Sequence, residues 1–193
     1  GDGINAIEGE APRLEDLEVP VVITPHSGEL SRLVSKEVPS APLERIEMTR
    51  NIYWTRGVLA QSQWMDWLAA LPLEQRVTLP GDVAVLLVHS QPGSDDYPGL
   101  HPRQTDDDVR ELFCKVDETL ICVGHTHTVQ ERRLDGKHII NPGSVGNPLG
   151  TDTRASYALI EADDAGYRVD FHYVEYDTEA SIQRLHESGY PGA

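Results

Sequence analysis

Two short, unbroken apolar runs constrain this 193-residue chain more than any other feature: Val-Ala-Val-Leu-Leu-Val at 83–88 and Leu-Ile-Cys-Val at 120–123. Runs of this length and composition, closed by turn-forming residues, read as buried strands. Each delivers histidine at its C-terminal end, His89 after the first and Gly124-His125-Thr126-His127 after the second. Strand ends are where mixed α/β folds place their ligands. The glycine lets the backbone turn sharply, so that two imidazoles one residue apart can face one point instead of opposite sides of a strand. That arrangement suits a metal ion, although a lone His-x-His is as often a polar loop feature, and the neighbouring sequence has to give it meaning.

The remaining pattern predicts mixed sheets covered by helices. Residues 15–23 end in Val19, Val21, Val22 and Ile23, a short strand signal closed by Thr24-Pro25. Pro39 and Pro42 deny helix and mark a joint, so the chain divides into an N-terminal segment, 1–38, and a main region, 39–193. Ile46, Ile52, Tyr53 and Leu59, beside Trp54, suit one helix; Trp64, Trp67, Leu68 and Leu71 suit a second, which Pro72 ends. Residues 76–79 and 83–89 read as strands joined by the turn Pro80-Gly81-Asp82. Thr105 followed by Asp106, Asp107 and Asp108 caps a helix through Val109, Leu112 and Phe113. Asp135-Gly136 is a two-residue hairpin signal, residues 155–161 and 167–173 form a second hairpin about 162–166, and 177–187 closes as a helix.

Charge narrows the partners. Sixteen Lys and Arg against thirty-two Asp and Glu leave a formal charge of −16, which repels phosphate backbones and anionic lipid at long range. General nucleic-acid binding is therefore not expected. No apolar run approaches the roughly 20 residues of a bilayer span and no basic-then-apolar leader opens the sequence, so a protein without membrane attachment is expected. Two cysteines, Cys114 and Cys122, are too few for a disulfide framework and fit a reducing cytoplasm.

The context of the histidines is Asn141-Pro142-Gly143-Ser144-Val145-Gly146-Asn147-Pro148, a backbone device able to bring main-chain groups close to a ligand or a neighbouring loop. Taken with Val88-His89, Gly124-His125-Thr126-His127, Ile139-Ile140 and Arg154-Ala155-Ser156-Tyr157-Ala158, it resembles in order and spacing the C-terminal part of the calcineurin-like metallophosphoesterases, over residues 43–176. The resemblance implies an α/β sandwich of mixed β-sheets flanked by helices, with its first sheet incomplete or altered. It also implies divalent metal ions, one or two of Mn, Zn, Fe or Mg, that polarise a phosphoryl oxygen and activate water. By motif His89 and His125 would bind one metal and His127 the other. The substrate would be a small molecule carrying a phosphomonoester or phosphodiester.

The family's first-sheet motifs, Asp-x-His, Gly-Asp and Gly-Asn-His-Asp, would supply the bridging carboxylate, the other ligands and a general-acid histidine. No Asp-x-His stands before residue 43; Gly1-Asp2 is a candidate Gly-Asp, and His26 lies roughly where Gly-Asn-His-Asp would fall. Residues 2–33, through Asp2-Gly3-Ile4-Asn5-Ala6 and Thr24-Pro25-His26-Ser27-Gly28-Glu29, also resemble the NAD(P)H-hydrate dehydratases, in which the matching histidine contacts a nicotinamide nucleotide. Two dications close together repel unless a carboxylate lies between them, so three neutral imidazoles suit one zinc-like ion better than two. A catalytically inactive interaction module that keeps the fold is the alternative function, and a nicotinamide-nucleotide binder is a third. Lost first-sheet strands would leave apolar edges, and a homodimer is expected to cover them.

Other candidates carry plainer roles. Asp95 and Asp96 read as solvated loop, His101 as an exposed loop residue, His138 and His172 as sheet surface, and His186 as a helix-end cation. Trp54, Trp64 and Trp67 read as helix packing, Cys122 as an inert strand residue, and Cys114 has no neighbouring histidine or metal spacing.

Overall fold

A computed structural model describes residues 42–61, 64–95 and 99–191. The expectations placed on the strand at 15–23, the joint at Pro39, Gly1-Asp2, His26 and Asp96 lie outside the described residues. In chain order the elements are α1 (Pro42–Ala60), α2 (Trp64–Ala70), β1 (Glu74–Leu79), a 3₁₀ turn (Pro80–Asp82), β2 (Val83–Val88), α3 (Asp106–Phe113), β3 (Leu120–Cys122), β4 (Gln130–Leu134), β5 (Lys137–Asn141), β6 (Ala155–Asp163), β7 (Gly166–Val174) and α4 (Thr178–Glu187). Among the described residues, 72–175 form one compact unit and 42–71 with 176–191 another.

In the unit 72–175 a five-stranded sheet runs in the order β1-β2-β3-β5-β4. Strands β2, β3 and β5 are parallel, and β1 and β4 pair antiparallel at the two edges. Because side chains alternate across a strand, the two apolar runs feed both faces of this sheet. Leu86, Val88, Ile121, Val123 and Ile139 point to one face, where Val109 and Phe113 of α3 meet them. Val83, Val85, Leu120 and Ile140 point to the other, covered by Ala158, Ile160, Tyr167, Val169 and Phe171 of the β6–β7 hairpin. The result is three layers: helix, sheet, hairpin. The chain is thus a mixed α/β protein in which β2 and β3 are apolar on both faces.

Local chemistry accounts for the boundaries. Thr105 and Asp108 form a reciprocal capping box: the Asp108 N–H donates to the Thr105 hydroxyl, and the Thr105 N–H donates to the Asp108 carboxylate. The Thr105 hydroxyl also donates to that carboxylate, and with the Thr105 N–H it holds the Asp108 carboxyl below its usual range. Asp135 and Gly136 both take positive φ, 52° and 78°, as a two-residue hairpin turn between β4 and β5 requires. The β6–β7 hairpin is tighter than the expected five-residue connection. Its pairing continues to Asp163↔Gly166, leaving Asp164-Ala165 as the turn, with the Asp163 carboxylate accepting from the Ala165 N–H.

The other unit contains α1, α2 and α4. Trp54 of α1 packs edge-on against Tyr190 at 5.4 Å, whereas Trp64 meets Trp67 within α2 at 5.6 Å and Trp67, expected to pack, is 43% exposed. Asp177 caps α4 through the Ala180 N–H. Among the described residues no helix is long and apolar enough to cross a membrane.

Candidate functional site

Parallel pairing places the C-terminal ends of β2, β3 and β5 side by side, and the segments that leave them are His89-Ser90, Gly124-His125-Thr126-His127 and Asn141-Pro142-Gly143. Main-chain bonds beyond the strands fix where those segments begin. The Gly124 N–H donates to the His89 carbonyl, and the Val123 N–H to the Ile140 carbonyl, each at 2.8 Å. At His125 the backbone reverses. Its φ is +66°, a left-handed value rare for a residue with a Cβ, and the Thr126 N–H closes a three-residue turn onto the Gly124 carbonyl at 2.7 Å. His127 is left-handed as well, at +52°.

This reversal throws the His125 ring back towards β2. Its Nδ1 lies 3.2 Å from His89 Nε2, and the rings meet edge to face with centroids 5.1 Å apart. His89 is buried, and burial with the adjacent His125 pushes its pKa down to about 4, against a smaller pull upwards from Asp95. It is therefore neutral at pH 7 and keeps a nitrogen lone pair. The His127 Nδ1 sits 2.8 Å from the Asn147 carbonyl, which can only accept, so Nδ1 carries a proton and Nε2 is the nitrogen left to face a ligand. The structure thus brings His89 and His125 together and engages His127, on the same loop, with the peptide of Asn147. Among the described residues no group of three His, Cys, Asp or Glu side chains could hold a metal ion.

Asn141 is a residue whose role the sequence did not disclose. Fully buried at the end of β5, it donates through Nδ2 to the Gly124 carbonyl (2.7 Å) and the Thr126 hydroxyl (2.9 Å), while its Oδ1 accepts from the Gly143 N–H (2.9 Å). Thr126 in turn donates to the Leu100 carbonyl, which Gln130 Nε2 also reaches, so loops from all three strands are joined. Gly143 is required by its surroundings: at φ +86° an added Cβ would stand 2.1 Å from Ser156 Oγ.

The other candidates disperse. Asp95 is partly buried in the loop after His89. His101 is exposed and accepts from the Arg103 N–H, and His186 is exposed in the last turn of α4. His138, expected on the sheet surface, is only 2% exposed, because the alternation of β5 points it under the β6–β7 hairpin. There its Nδ1 lies 3.1 Å from the Tyr167 hydroxyl and its Nε2 2.9 Å from Glu131. An Asp-x-His sequence does occur in β7, Asp170-Phe171-His172, but Asp170 sits by Arg168 and His172 stacks on Tyr157. Burial pushes the Cys122 thiol up to about 12, so it is inert, and Cys114 is exposed.

Comparison with known proteins places this arrangement. The calcineurin-like phosphoesterase superfamily domain matches residues 15–165. An uncharacterised protein of Methanocaldococcus jannaschii is 28% identical over 155 residues, 72% of this chain but 60% of its own length, so the chain spans less than two thirds of that relative. A metallophosphoesterase from Sphaerobacter thermophilus superposes with a TM-score of 0.62 at 29% identity, over 85% of this chain and 70% of that one. A hypothetical protein from Pyrococcus horikoshii shares the fold at a TM-score of 0.72 and 20% identity, over 97% of this chain and 74% of that one. With strand ends, histidine loops and domain match in agreement, the chain belongs to the calcineurin-like phosphoesterase superfamily.

Proposed function

We propose that this protein is a metal-dependent phosphoesterase that hydrolyses phosphomonoester or phosphodiester bonds of small molecules, with His89 and His125 holding one divalent ion and His127 directed to another. The observation that supports this most is the 3.2 Å separation of His89 Nε2 and His125 Nδ1. Two nitrogens each about 2.0–2.1 Å from a shared ion stand that far apart at an angle of roughly 100°, between octahedral and tetrahedral values. The donors also have the chemistry for it, since His89 is neutral at pH 7 and the Asn147 carbonyl fixes the tautomer of His127. These residues fit one ion as part of its ligand set.

A divalent ion bound there supplies Lewis acidity towards a phosphoryl oxygen and makes a hydroxide available near neutral pH. The chain's own part is to hold the imidazoles at the ends of a rigid parallel sheet and to keep His89 unprotonated. The Sphaerobacter thermophilus metallophosphoesterase, by its name and 29% identity, supports the assignment to metal chemistry. The two cysteines are free, in keeping with a reducing compartment such as the cytoplasm. A homodimer belongs to the same proposal and is checked by sedimentation.

The test is turnover. Purified protein is expected to hydrolyse bis(p-nitrophenyl) phosphate with Mn²⁺, and His125→Ala to abolish it while leaving the circular dichroism spectrum unchanged. A second reading, an inactive interaction module, is favoured by one observation: among the described residues no carboxylate completes the ligand set. Absence of turnover with Mn²⁺, Zn²⁺, Fe²⁺ and Mg²⁺ alike would favour that reading instead.

A further inference from the structure

We infer that Asn141 is a positioning residue for the histidine loop: its amide, through Gly124 and Thr126, sets the direction in which His125 meets His89. The inference rests on the reading of His125 as a metal ligand, and extends it to a residue that touches neither imidazole. Three observations carry it.

The first is the unusual backbone it adjoins. His125 holds a left-handed φ of +66° inside a three-residue turn, a strained conformation that persists only where the surroundings over-determine it. The second is where the amide bonds. Nδ2 takes the Gly124 carbonyl and the Thr126 hydroxyl, the residues on either side of His125, so the amide spans the turn at its base. The same Gly124 carbonyl also receives the Thr126 N–H, and both donors hold it in one orientation. The third is satisfaction. Oδ1 takes the Gly143 N–H, from a segment whose next residue, Ser144, is itself bonded through its N–H to the Ser156 hydroxyl. The amide is therefore oriented from one side and orients on the other, with no part of it in water.

Alternatives at this position fail for identifiable reasons. Aspartate keeps the acceptor for Gly143 but presents a carboxylate oxygen to the Gly124 carbonyl, two acceptors facing each other in a buried place. Leucine is of similar size and loses all three bonds. Serine is too short to span the turn.

The experiment uses the full chain in four variants: Asn141→Asp, Asn141→Ala, Thr126→Val and Thr126→Ser. Two readouts are taken: Co²⁺ affinity by visible absorption titration, and the imidazole ¹⁵N resonances of His89 and His125 in metal-free protein. Asn141→Asp, Asn141→Ala and Thr126→Val are expected to weaken Co²⁺ binding about 10–100-fold and to shift the His125 resonances, with native far-ultraviolet circular dichroism. Thr126→Ser keeps the hydroxyl and is expected to stay within about twofold of the parent. Folded Asn141 variants with unchanged affinity and unchanged His125 resonances would overturn the inference. If the Asn141 variants do not fold, Thr126→Val decides by the same two readouts. If the parent binds no Co²⁺, the metal reading fails, while the His125 resonances still decide whether Asn141 positions the ring.

Discussion

Moving a histidine out of water lowers its proton affinity, and for His89 the consequence is a pH-dependent stability with a defined sign. Its pKa is about 4 in the folded chain against about 6.5 when exposed. Above pH 6.5 the ring is neutral in both states and the contribution of its burial is fully present. As pH falls from 6.5 towards 4 the unfolded chain takes up a proton that the folded chain refuses, so stability declines across that window and levels off below it. The loss attributable to His89 is at most about 3 kcal/mol. Urea unfolding at pH 7.5, 5.5 and 4.5 should show the decline, and His89→Gln should make it shallower; an unchanged slope would remove His89 as its source. Gly143 gives a second prediction at this scale. An alanine Cβ there would meet Ser156 Oγ at 2.1 Å and Val129 Cγ2 at 2.8 Å, on a backbone already at φ +86°. Gly143→Ala is expected to destabilise the fold by about 2–4 kcal/mol, read as a lower urea midpoint at unchanged slope.

The elements differ in how much of their stability is local. Helix α3 begins on the Thr105–Asp108 box, and Thr105→Ala is expected to lower stability by about 1 kcal/mol, with Thr105→Ser restoring most of it in thermal melts. In α1, Gly57 has helical φ and nothing within 4 Å of an added Cβ, so Gly57→Ala is expected to stabilise by about 0.5–1 kcal/mol, the opposite sign to Gly143→Ala. Features of this local kind were legible before any coordinates. The runs at 83–88 and 120–123 are strands, Asp135-Gly136 is a hairpin turn, and Pro72 follows α2, because turn chemistry and apolar continuity act over a few residues. His138 and Asn141 were not legible, for a shared reason. Both lie in β5, and their surroundings depend on which strand pairs with β5 and which layer covers it. The alternation of β5 sends His138 under the hairpin and Asn141 to the opposite side, where the β3 loop arrives, and no window of sequence contains both partners. The nearness of His89 and His125 was foreseeable from their place at strand ends, but the left-handed turn that aims His125 is visible only in the structure.

On the scale of the whole molecule, the formal charge of −16 would oppose the approach of the phosphoester substrate proposed above. At about 0.01 M salt the Debye length is about 30 Å, and much of that charge would act on an incoming phosphodiester. At about 0.15 M it is about 8 Å, and the substrate feels chiefly the groups lining the site. The repulsion lost between these conditions amounts to a potential of the order that steering fields produce, so association should quicken as salt is added, the reverse of what a basic phosphate-binding surface shows. With Mn²⁺ held saturating at each ionic strength, kcat/KM for bis(p-nitrophenyl) phosphate is expected to rise several-fold between about 0.01 and 0.15 M NaCl and then to flatten, with kcat nearly constant because the bound state is already screened. Neutralising an exposed acidic residue at the other end of the sheet, such as Asp164 beside Gly81, should raise kcat/KM at low salt and do nothing at high salt. A fall in kcat/KM with salt would mean that the field at the histidine loops is locally positive and outweighs the acidity of the rest of the chain, placing recognition in bound cations instead of in relief from repulsion.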